Sequence, residues 1–193
     1  MTSTLSKKHS FDLVLHSQQV FRLILEAMSN PASVVSIKEY ADRLFGARPS
    51  MLAVALTLLD NETGFAACGG GEFPDDIVSL TSARQEQAKD ADFIFVRNWR
   101  DTEAAIECAK CGTLADPHKS ATIVIQNNGA AAFQLTLSGP GIDGRADIRA
   151  TQTVKDAITL RDAQCYEYPQ GVDLLFVSGD GELFAIPRST RLV

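Results

Sequence analysis

The C-terminal stretch that decides the fold reads Tyr168-Pro-Gln-Gly-Val-Asp-Leu-Leu-Phe-Val-Ser-Gly-Asp-Gly-Glu-Leu-Phe-Ala-Ile-Pro-Arg-Ser-Thr-Arg-Leu-Val193. Two apolar runs, Val172 to Val177 and Leu183 to Ile186, flank Gly179-Asp-Gly181. An Asp-Gly pair between apolar runs predicts a β-hairpin. Because the first run alternates little between apolar and polar residues, we expect it to be buried on both faces. Such a strand lies in the middle of a sheet that helices cover.

The chain upstream of this hairpin alternates between helical and strand-like segments. Apolar spacing, Pro49 and the acidic pair Asp75-Asp76 predict several helices. These helices are expected over residues 17–30, 49–60, 75–80, 102–110 and 153–164, and strands over residues 32–37, 65–68 and 92–96. The alternation predicts an α/β fold with a mixed sheet and helices on both faces.

Two further segments carry expectations of their own. Residues Thr122 to Gln126 and Phe133 to Leu137 flank Asn127-Asn128-Gly129, which predicts a second hairpin. The segment from Met51 to Leu59 is apolar nearly all round, so it is either buried on several sides or part of an interface.

Composition and charge exclude several classes of protein. The length of 193 residues fits one domain, residues 1–193, and the net charge of −6 without a basic cluster argues against a nucleic-acid partner. No apolar run is long enough to span a membrane, and no signal-peptide core follows the N-terminus. Four irregularly spaced cysteines fit a reducing compartment, so the expectation is a cytoplasmic protein.

Cys108 and Cys111 form a Cys-x-x-Cys pair that could share a metal or form a redox disulfide. A thioredoxin-like motif opens a helix, however, whereas this pair closes a predicted one, and a structural zinc site needs four ligands. Coincidence is the favoured interpretation, and a metal or redox function is the alternative. In the same way, Gly69-Gly70-Gly71 could cradle a phosphate, but no Gly-Lys-Ser/Thr follows, so a plain loop is favoured.

Charged residues inside apolar contexts supply the other candidates for a site. Arg22 lies on the first predicted helix, and Asp173 and Arg188 bracket the C-terminal hairpin. A half-buried Asp173 is expected to pair with an arginine, which is more often structural than catalytic. No catalytic residue can be assigned, because no nucleophile elbow and no complete catalytic constellation is present.

Several stretches together resemble one family, PhnH, a subunit of the bacterial carbon–phosphorus lyase system. They follow the family order and span nearly the whole chain. The matching stretches are Phe21-Arg22 with Ala27-Met-Ser-Asn-Pro31, Leu56-Thr-Leu-Leu-Asp-Asn-Glu-Thr63, Asp76-Ile-Val78, Gly112-Thr113 with Ala121-Thr-Ile-Val-Ile-Gln126, Ser138-Gly-Pro-Gly-Ile142, and Gly171-Val-Asp-Leu-Leu-Phe176 with Ala185-Ile-Pro-Arg-Ser-Thr190. Two departures from the family pattern are Ala32, where a glycine is usual, and the pair Cys108 and Cys111.

The resemblance implies a three-layer α/β/α fold similar to that of PLP-dependent transferases, but without a cofactor. It also implies a homodimer and a core complex with the PhnG, PhnI and PhnJ subunits, in which this subunit supports assembly of the nucleosidase-like and lyase subunits. The lysines agree with a fold that lacks this cofactor, because none is expected at a Schiff-base position. Those in polar, surface-like segments are Lys38, Lys89, Lys110, Lys119 and Lys155.

Two functions therefore remain open. The first is a subunit of the phosphonate-processing complex without independent activity. The alternative is a phosphonate- or nucleotide-binding transferase whose site forms at the homodimer interface around Arg22, Asp173 and Arg188. Paired arginines can grip phosphoryl oxygens bidentately, which motivates the alternative.

Overall fold

The computed structural model describes residues 9–69, 71–164 and 166–193. The helices are α1 (Leu15–Ser29), α2 (Lys38–Ala41), α3 (Pro49–Leu58), α4 (Glu72–Thr81), α5 (Thr102–Cys108) and α6 (Gln152–Asp162). The strands are β1 (Val35–Ser36), β2 (Gly64–Cys68), β3 (Arg84–Gln85), β4 (Phe93–Val96), β5 (Thr122–Gln126), β6 (Phe133–Ser138), β7 (Ala146–Ala150), β8 (Asp173–Val177), β9 (Glu182–Ile186) and β10 (Arg191–Leu192). Short 3₁₀ turns cover Trp99–Asp101 and Pro117–Lys119.

The C-terminal hairpin is confirmed. Strands β8 and β9 pair antiparallel, with Leu174 opposite Ile186 and Val177 opposite Leu183. Every residue of β8 is buried, and the strand lies between β9 and β5 inside a seven-stranded sheet. Its nearly continuous apolar sequence follows from this position, since helices cover both of its faces.

The large sheet is mixed, with the strand order β1-β9-β8-β5-β4-β2-β3. The five strands from β8 to β3 run parallel, and β9 and β1 extend the sheet by antiparallel pairing. The predicted mixed sheet is therefore confirmed, although the sequence patterns did not identify the short edge strand β3.

The second predicted hairpin is wrong. Strand β5 pairs parallel with β4 and β8, while β6 pairs antiparallel with β7 in a separate sheet of order β10-β6-β7. The chain does bend after β5, but turn residues alone do not determine which strand β5 pairs with. The apolar run of β5 is buried on both faces in the large sheet, whereas β6 is only half buried.

Helices cover both faces of the large sheet. One apolar core joins the sheet to α1, α3 and α4, and a second joins its other face to α5, α6 and the small sheet. The apolar helix α3 is buried within the chain from Ser50 to Leu56. Burial between neighbouring elements therefore accounts for its missing polar face.

No helix of the described residues is both long and apolar enough to cross a membrane.

Candidate functional site at the carboxyl edge of the sheet

Open parallel sheets bind ligands beyond the carboxyl ends of their strands, where the chain connections change direction. Here that point lies between β2 and β4. From β2 the chain passes through α4 to β3 on one side, and from β4 it passes through α5 to β5 on the other side. Because α4 and α5 cover opposite faces, a crevice opens between the ends of the two strands.

Arg97 occupies this switch point. It follows β4 directly, and its Nε donates to the carbonyl oxygen of Cys68 at the end of β2, at 3.1 Å. The guanidinium lies over the Phe73 ring, with its carbon 5.7 Å from the ring centroid. At Gly69, with φ +85°, a Cβ would come within 2.7 Å of Arg97 Nη2. The glycine therefore gives the arginine both the turn and the room that it needs.

Arg48 reaches the same crevice from another element. It is the N-cap residue of α3, and its Nη1 donates to Gln126 Oε1 at 3.2 Å. Gln126, the last residue of β5, is 7% exposed and donates from its amide to Asn128 Oδ1 at 3.1 Å. The amide group thus holds Arg48 at the carboxyl edge of the sheet.

The two arginines share a cavity whose lining contains no carboxylate. Its volume is about 280 Å³, and its lining residues are Arg48, Arg97, Asn98, Trp99, Gln126, Asn128 and Thr153. Burial, followed by the charge of Arg48, lowers the pKa of the Arg97 guanidinium from its ordinary value. Two like charges in a partly buried crevice favour a bound anion.

Carboxylates lie on the other side of Arg97. A neighbouring cavity of about 280 Å³ shares both arginines but also includes Glu72 and Asp76 near the start of α4. Asp101 also acts on the pKa of Arg97, in the opposite sense to Arg48, so the positive charge of the two arginines is partly offset by nearby carboxylates.

Asp173 and Arg188, which the sequence singled out, meet at the opposite, amino edge. Oδ1 of Asp173 accepts from the backbone N–H of Arg188 at 2.7 Å and from its Nε at 3.2 Å. Arg188 Nη2 also donates to Asp173 Oδ2. Nη1 donates to the carbonyl oxygen of Pro117 at 2.7 Å. The expected partner of Asp173 is thus Arg188, and the pair ties the end of β9 to the start of β8.

Arg22 is exposed on α1. No hydrogen bond or ion pair joins it to Asp173 or Arg188 within the described residues. The three residues do not form one cluster in a single copy of the chain, and their role in substrate binding stays a prediction.

The cysteine pair and the glycine loop are the two remaining candidate sites from the sequence. Cys108 is exposed at the end of α5, and Cys111 is a free thiol whose backbone pairs with that of Ser120 in an isolated β-bridge. Across residues 9–69, 71–164 and 166–193, no group of three or more His, Cys, Asp or Glu side chains is placed to hold a metal ion. In the predicted glycine loop, Gly69 and Gly71 lie beside Arg97, and Gly70 is outside the described residues.

Sequence reasoning missed Arg48 and Arg97. The available signal was the position of Arg97-Asn98 directly after the buried strand Phe93–Val96. Polar residues that follow a buried parallel strand lie at the carboxyl edge, where ligands bind. Arg48 had no such signal, because its place in the crevice depends on the packing of α3 against the sheet.

The fold defines a mixed α/β protein with two arginines beside the topological switch point of its large sheet. The profile of the family described as "Bacterial phosphonate metabolism protein (PhnH)" matches residues 9–193. A relative from Stutzerimonas stutzeri, named "Putative C-P lyase subunit protein HtxG", is 28% identical over 176 residues, which cover 91% of this chain and 85% of the relative. The chain belongs to the PhnH family of phosphonate metabolism, as the resemblance in its sequence predicted.

Proposed function

We propose that the chain is a subunit of the carbon–phosphorus lyase core complex, where it supports assembly of the nucleosidase-like and lyase subunits in phosphonate catabolism. The observation that carries the proposal is the family match over residues 9–193, joined to a relative named as a subunit of this lyase. The proposed partners are the PhnG, PhnI and PhnJ subunits, and the proposed location is the cytoplasm. Residues 1–193 are proposed to act as a single domain with a fold similar to that of PLP-dependent transferases.

Co-expression with the partner subunits tests this function. We expect an affinity tag on this chain to recover PhnG, PhnI and PhnJ in fixed ratios through size-exclusion chromatography. A complex of the other three subunits that forms without retaining this chain would contradict the proposal.

We also propose that the chain forms a homodimer through the outer face of α1. Large apolar residues are exposed there, with Val14 76%, Leu15 62%, Phe21 49% and Leu25 53% exposed. Arg22 and Glu26 are exposed one turn apart on the same helix. An antiparallel second copy would place each of these charges near its opposite on the partner helix, while the apolar residues cover one another.

Light scattering tests the dimer. We expect Leu25→Glu to shift the mass from that of a dimer to that of a monomer, whereas Val78→Glu, at an exposed apolar residue of α4, should leave it unchanged. Equal masses for both variants would contradict an interface on α1.

The alternative function, a phosphonate- or nucleotide-binding transferase that uses Arg22, Asp173 and Arg188 at a homodimer interface, has weaker support. Asp173 and a backbone carbonyl already occupy most donors of Arg188. A ligand at this position would have to displace a carboxylate. Loss of ATP or methylphosphonate binding in Arg22→Ala, with binding kept in Arg48→Ala, would favour the alternative.

A further inference from the structure

A further cavity lies at the carboxyl ends of β5 and β8, between the large sheet and the small sheet. Its volume is about 300 Å³, which falls at the lower end of the range for sites that take small molecules. Asn128 is the one residue that its lining shares with the crevice of Arg48 and Arg97. The two cavities are therefore separate places on the same edge of the large sheet.

Side chains of opposite charge line this further cavity from different elements. Arg149 comes from β7, whereas Asp180 belongs to the turn of the C-terminal hairpin and Glu182 is the first residue of β9. Within the described part of the chain, no ion pair or side-chain hydrogen bond engages any of these three charged groups. The cavity therefore presents one guanidinium and two carboxylates that the fold does not use.

Two amide groups are held in place beside these charges. Oδ1 of Asn127 accepts from Thr151 Oγ1 at 2.6 Å, and Oδ1 of Asn128 accepts from Gln126 Nε2 at 3.1 Å. Because each amide oxygen is engaged, each amide nitrogen keeps its N–H donors for another partner. These uncharged donors and a guanidinium together suit an acidic group.

We propose that this cavity binds a small zwitterion, with its acidic group at Arg149 and its ammonium group at Asp180 and Glu182. An ammonium group has three N–H donors, so it can bond to both carboxylates. A ligand that fills the cavity removes water from all three charges, and a desolvated charge without a partner costs free energy. A ligand with charges of both signs meets this requirement, whereas a plain anion or a plain cation leaves one side unpaired.

The apolar part of the lining limits what joins the two charged ends. Val34, Ala131 and Phe184 contribute hydrocarbon surface to the same cavity. Such surface suits a short alkyl chain between the acidic group and the ammonium group. The class of ligand is therefore a short-chain amino acid or its phosphonic counterpart, an aminoalkylphosphonate.

The two sources differ only in the acidic group, so matched probes separate them. β-Alanine and 2-aminoethylphosphonate have the same two-carbon spacing, while propionate, ethylphosphonate and ethylamine each lack one of the two charged ends. In calorimetric titration of the purified chain, we expect saturable binding of at least one zwitterion. Its single-ended analogues should bind about tenfold more weakly or worse, as for the loss of a charge-assisted hydrogen bond. No saturable binding of either zwitterion, or equal binding of the single-ended analogues, would overturn the proposal.

Variants at both ends test the placement of the ligand. We expect Arg149→Gln and Glu182→Gln each to weaken binding of the zwitterion by about tenfold or more. Arg145→Gln and Asp143→Asn are the matched controls, because they remove the same charges from an exposed turn of the small sheet. Equal weakening by the controls would show a general effect of net charge and would overturn the site.

A conservative variant separates charge pairing from a defect in folding. Arg149→Lys keeps the positive charge, so we expect it to bind the zwitterion more tightly than Arg149→Gln does. Arg149 and Glu182 are both exposed, so the melting temperatures of their variants should equal that of the wild type. Equal loss of binding in Arg149→Lys and Arg149→Gln would contradict recognition by charge.

The aminoalkylphosphonate source rests on the proposed function, whereas the zwitterion site rests on the cavity alone. Binding of β-alanine without 2-aminoethylphosphonate would support the site and assign it to the amino acid. Binding of 2-aminoethylphosphonate would support the site and assign it to the phosphonate. Recovery of the partner subunits is measured separately, so a chain that binds a zwitterion but fails to assemble would contradict the proposed function and leave the site standing.

Discussion

Arginines at the two edges of the large sheet have opposite surroundings. At the amino edge, Arg188 meets the carboxylate of Asp173 and a backbone carbonyl. At the carboxyl edge, Arg48 and Arg97 share a cavity whose lining contains no carboxylate. A neutralised arginine whose donors are occupied fastens the chain to itself. Arg48 and Arg97 instead lie in one crevice, where burial and the charge of Arg48 lower the pKa of the Arg97 guanidinium.

Arg161 is the clearest example of an arginine that ties one part of the chain to another. It is 1% exposed at the end of α6, next to the amino edge, and it donates to the carbonyl oxygens of Ile186, Pro187 and Thr190. Its Nη2 also donates to Asp162 at 2.8 Å. This single side chain holds the residues after β9 against the second core.

We expect Arg161→Met to have the largest effect on stability. The methionine fills part of the space but leaves three carbonyl groups without this donor, and Asp162 keeps only Arg191. The free energy of unfolding should fall by about 3–5 kcal/mol, as when one partner of a buried pair is removed. Urea denaturation followed by circular dichroism measures the change.

Arg191→Met is the matched control, since it breaks the ion pair of Arg191 with the same Asp162 but at a side chain that is 53% exposed. An exposed pair contributes about 0–1 kcal/mol. Similar losses in the two variants would contradict the assignment of Arg161 as the fastening residue.

The second-largest loss of stability is expected at the Asp173–Arg188 pair. Asp173→Asn keeps one oxygen as an acceptor but removes the charge that compensates Arg188. Because the two side chains are 12% and 21% exposed, we expect a loss of about 2 kcal/mol, less than for a fully buried pair.

A double-mutant cycle with Arg188→Met measures the coupling within the pair by urea denaturation. Residues in direct contact show coupling of about 0.5–3 kcal/mol. Additive effects of the two substitutions would contradict a structural ion pair and would reopen the alternative role of these residues in binding.

Asp92 is a third residue that ties the chain together at the amino edge. Its pKa predicts that the stability of the fold depends on pH. Burial raises the pKa of Asp92, but hydrogen bonds from Lys110 and from the Gly64 N–H outweigh it, so the pKa lies below its ordinary value. A depressed pKa stabilises the fold above the unfolded-state pKa, and that stability is lost as the pH falls through the folded-state pKa.

Asp92→Asn should therefore lower the free energy of unfolding at pH 7 and have a smaller effect at pH 3. The side chain is 41% exposed, so solvent screening limits the loss at pH 7 to about 1 kcal/mol. Asp143→Asn, in an exposed turn of the small sheet, is the control. A difference between wild type and Asp92→Asn that grows toward acid would contradict the depressed pKa.

The sequence predicted the amino edge better than the carboxyl edge, for physical reasons. Asp173 and Arg188 bracket a hairpin whose turn and apolar runs are local, so their pairing follows from the hairpin. The partner of β5 could not be found in this way, because parallel pairing joins segments far apart in sequence. The crevice depends on the same long-range order: Arg97 reaches Arg48 only through the positions of β2, β5 and α3 in the folded chain.

The smallest stability effect is expected at the carboxyl edge. Arg48→Gln removes one of two neighbouring positive charges and keeps a polar group that can meet the amide of Gln126. The free energy of unfolding should change by less than about 0.5 kcal/mol, as for a surface substitution. It should rise rather than fall at low ionic strength, because repulsion of Arg97 is relieved. Urea denaturation at low and at high salt measures both changes. If Arg48→Gln lost as much stability as Asp173→Asn, both edges of the sheet would use their arginines to hold the fold, and the contrast between them would not hold.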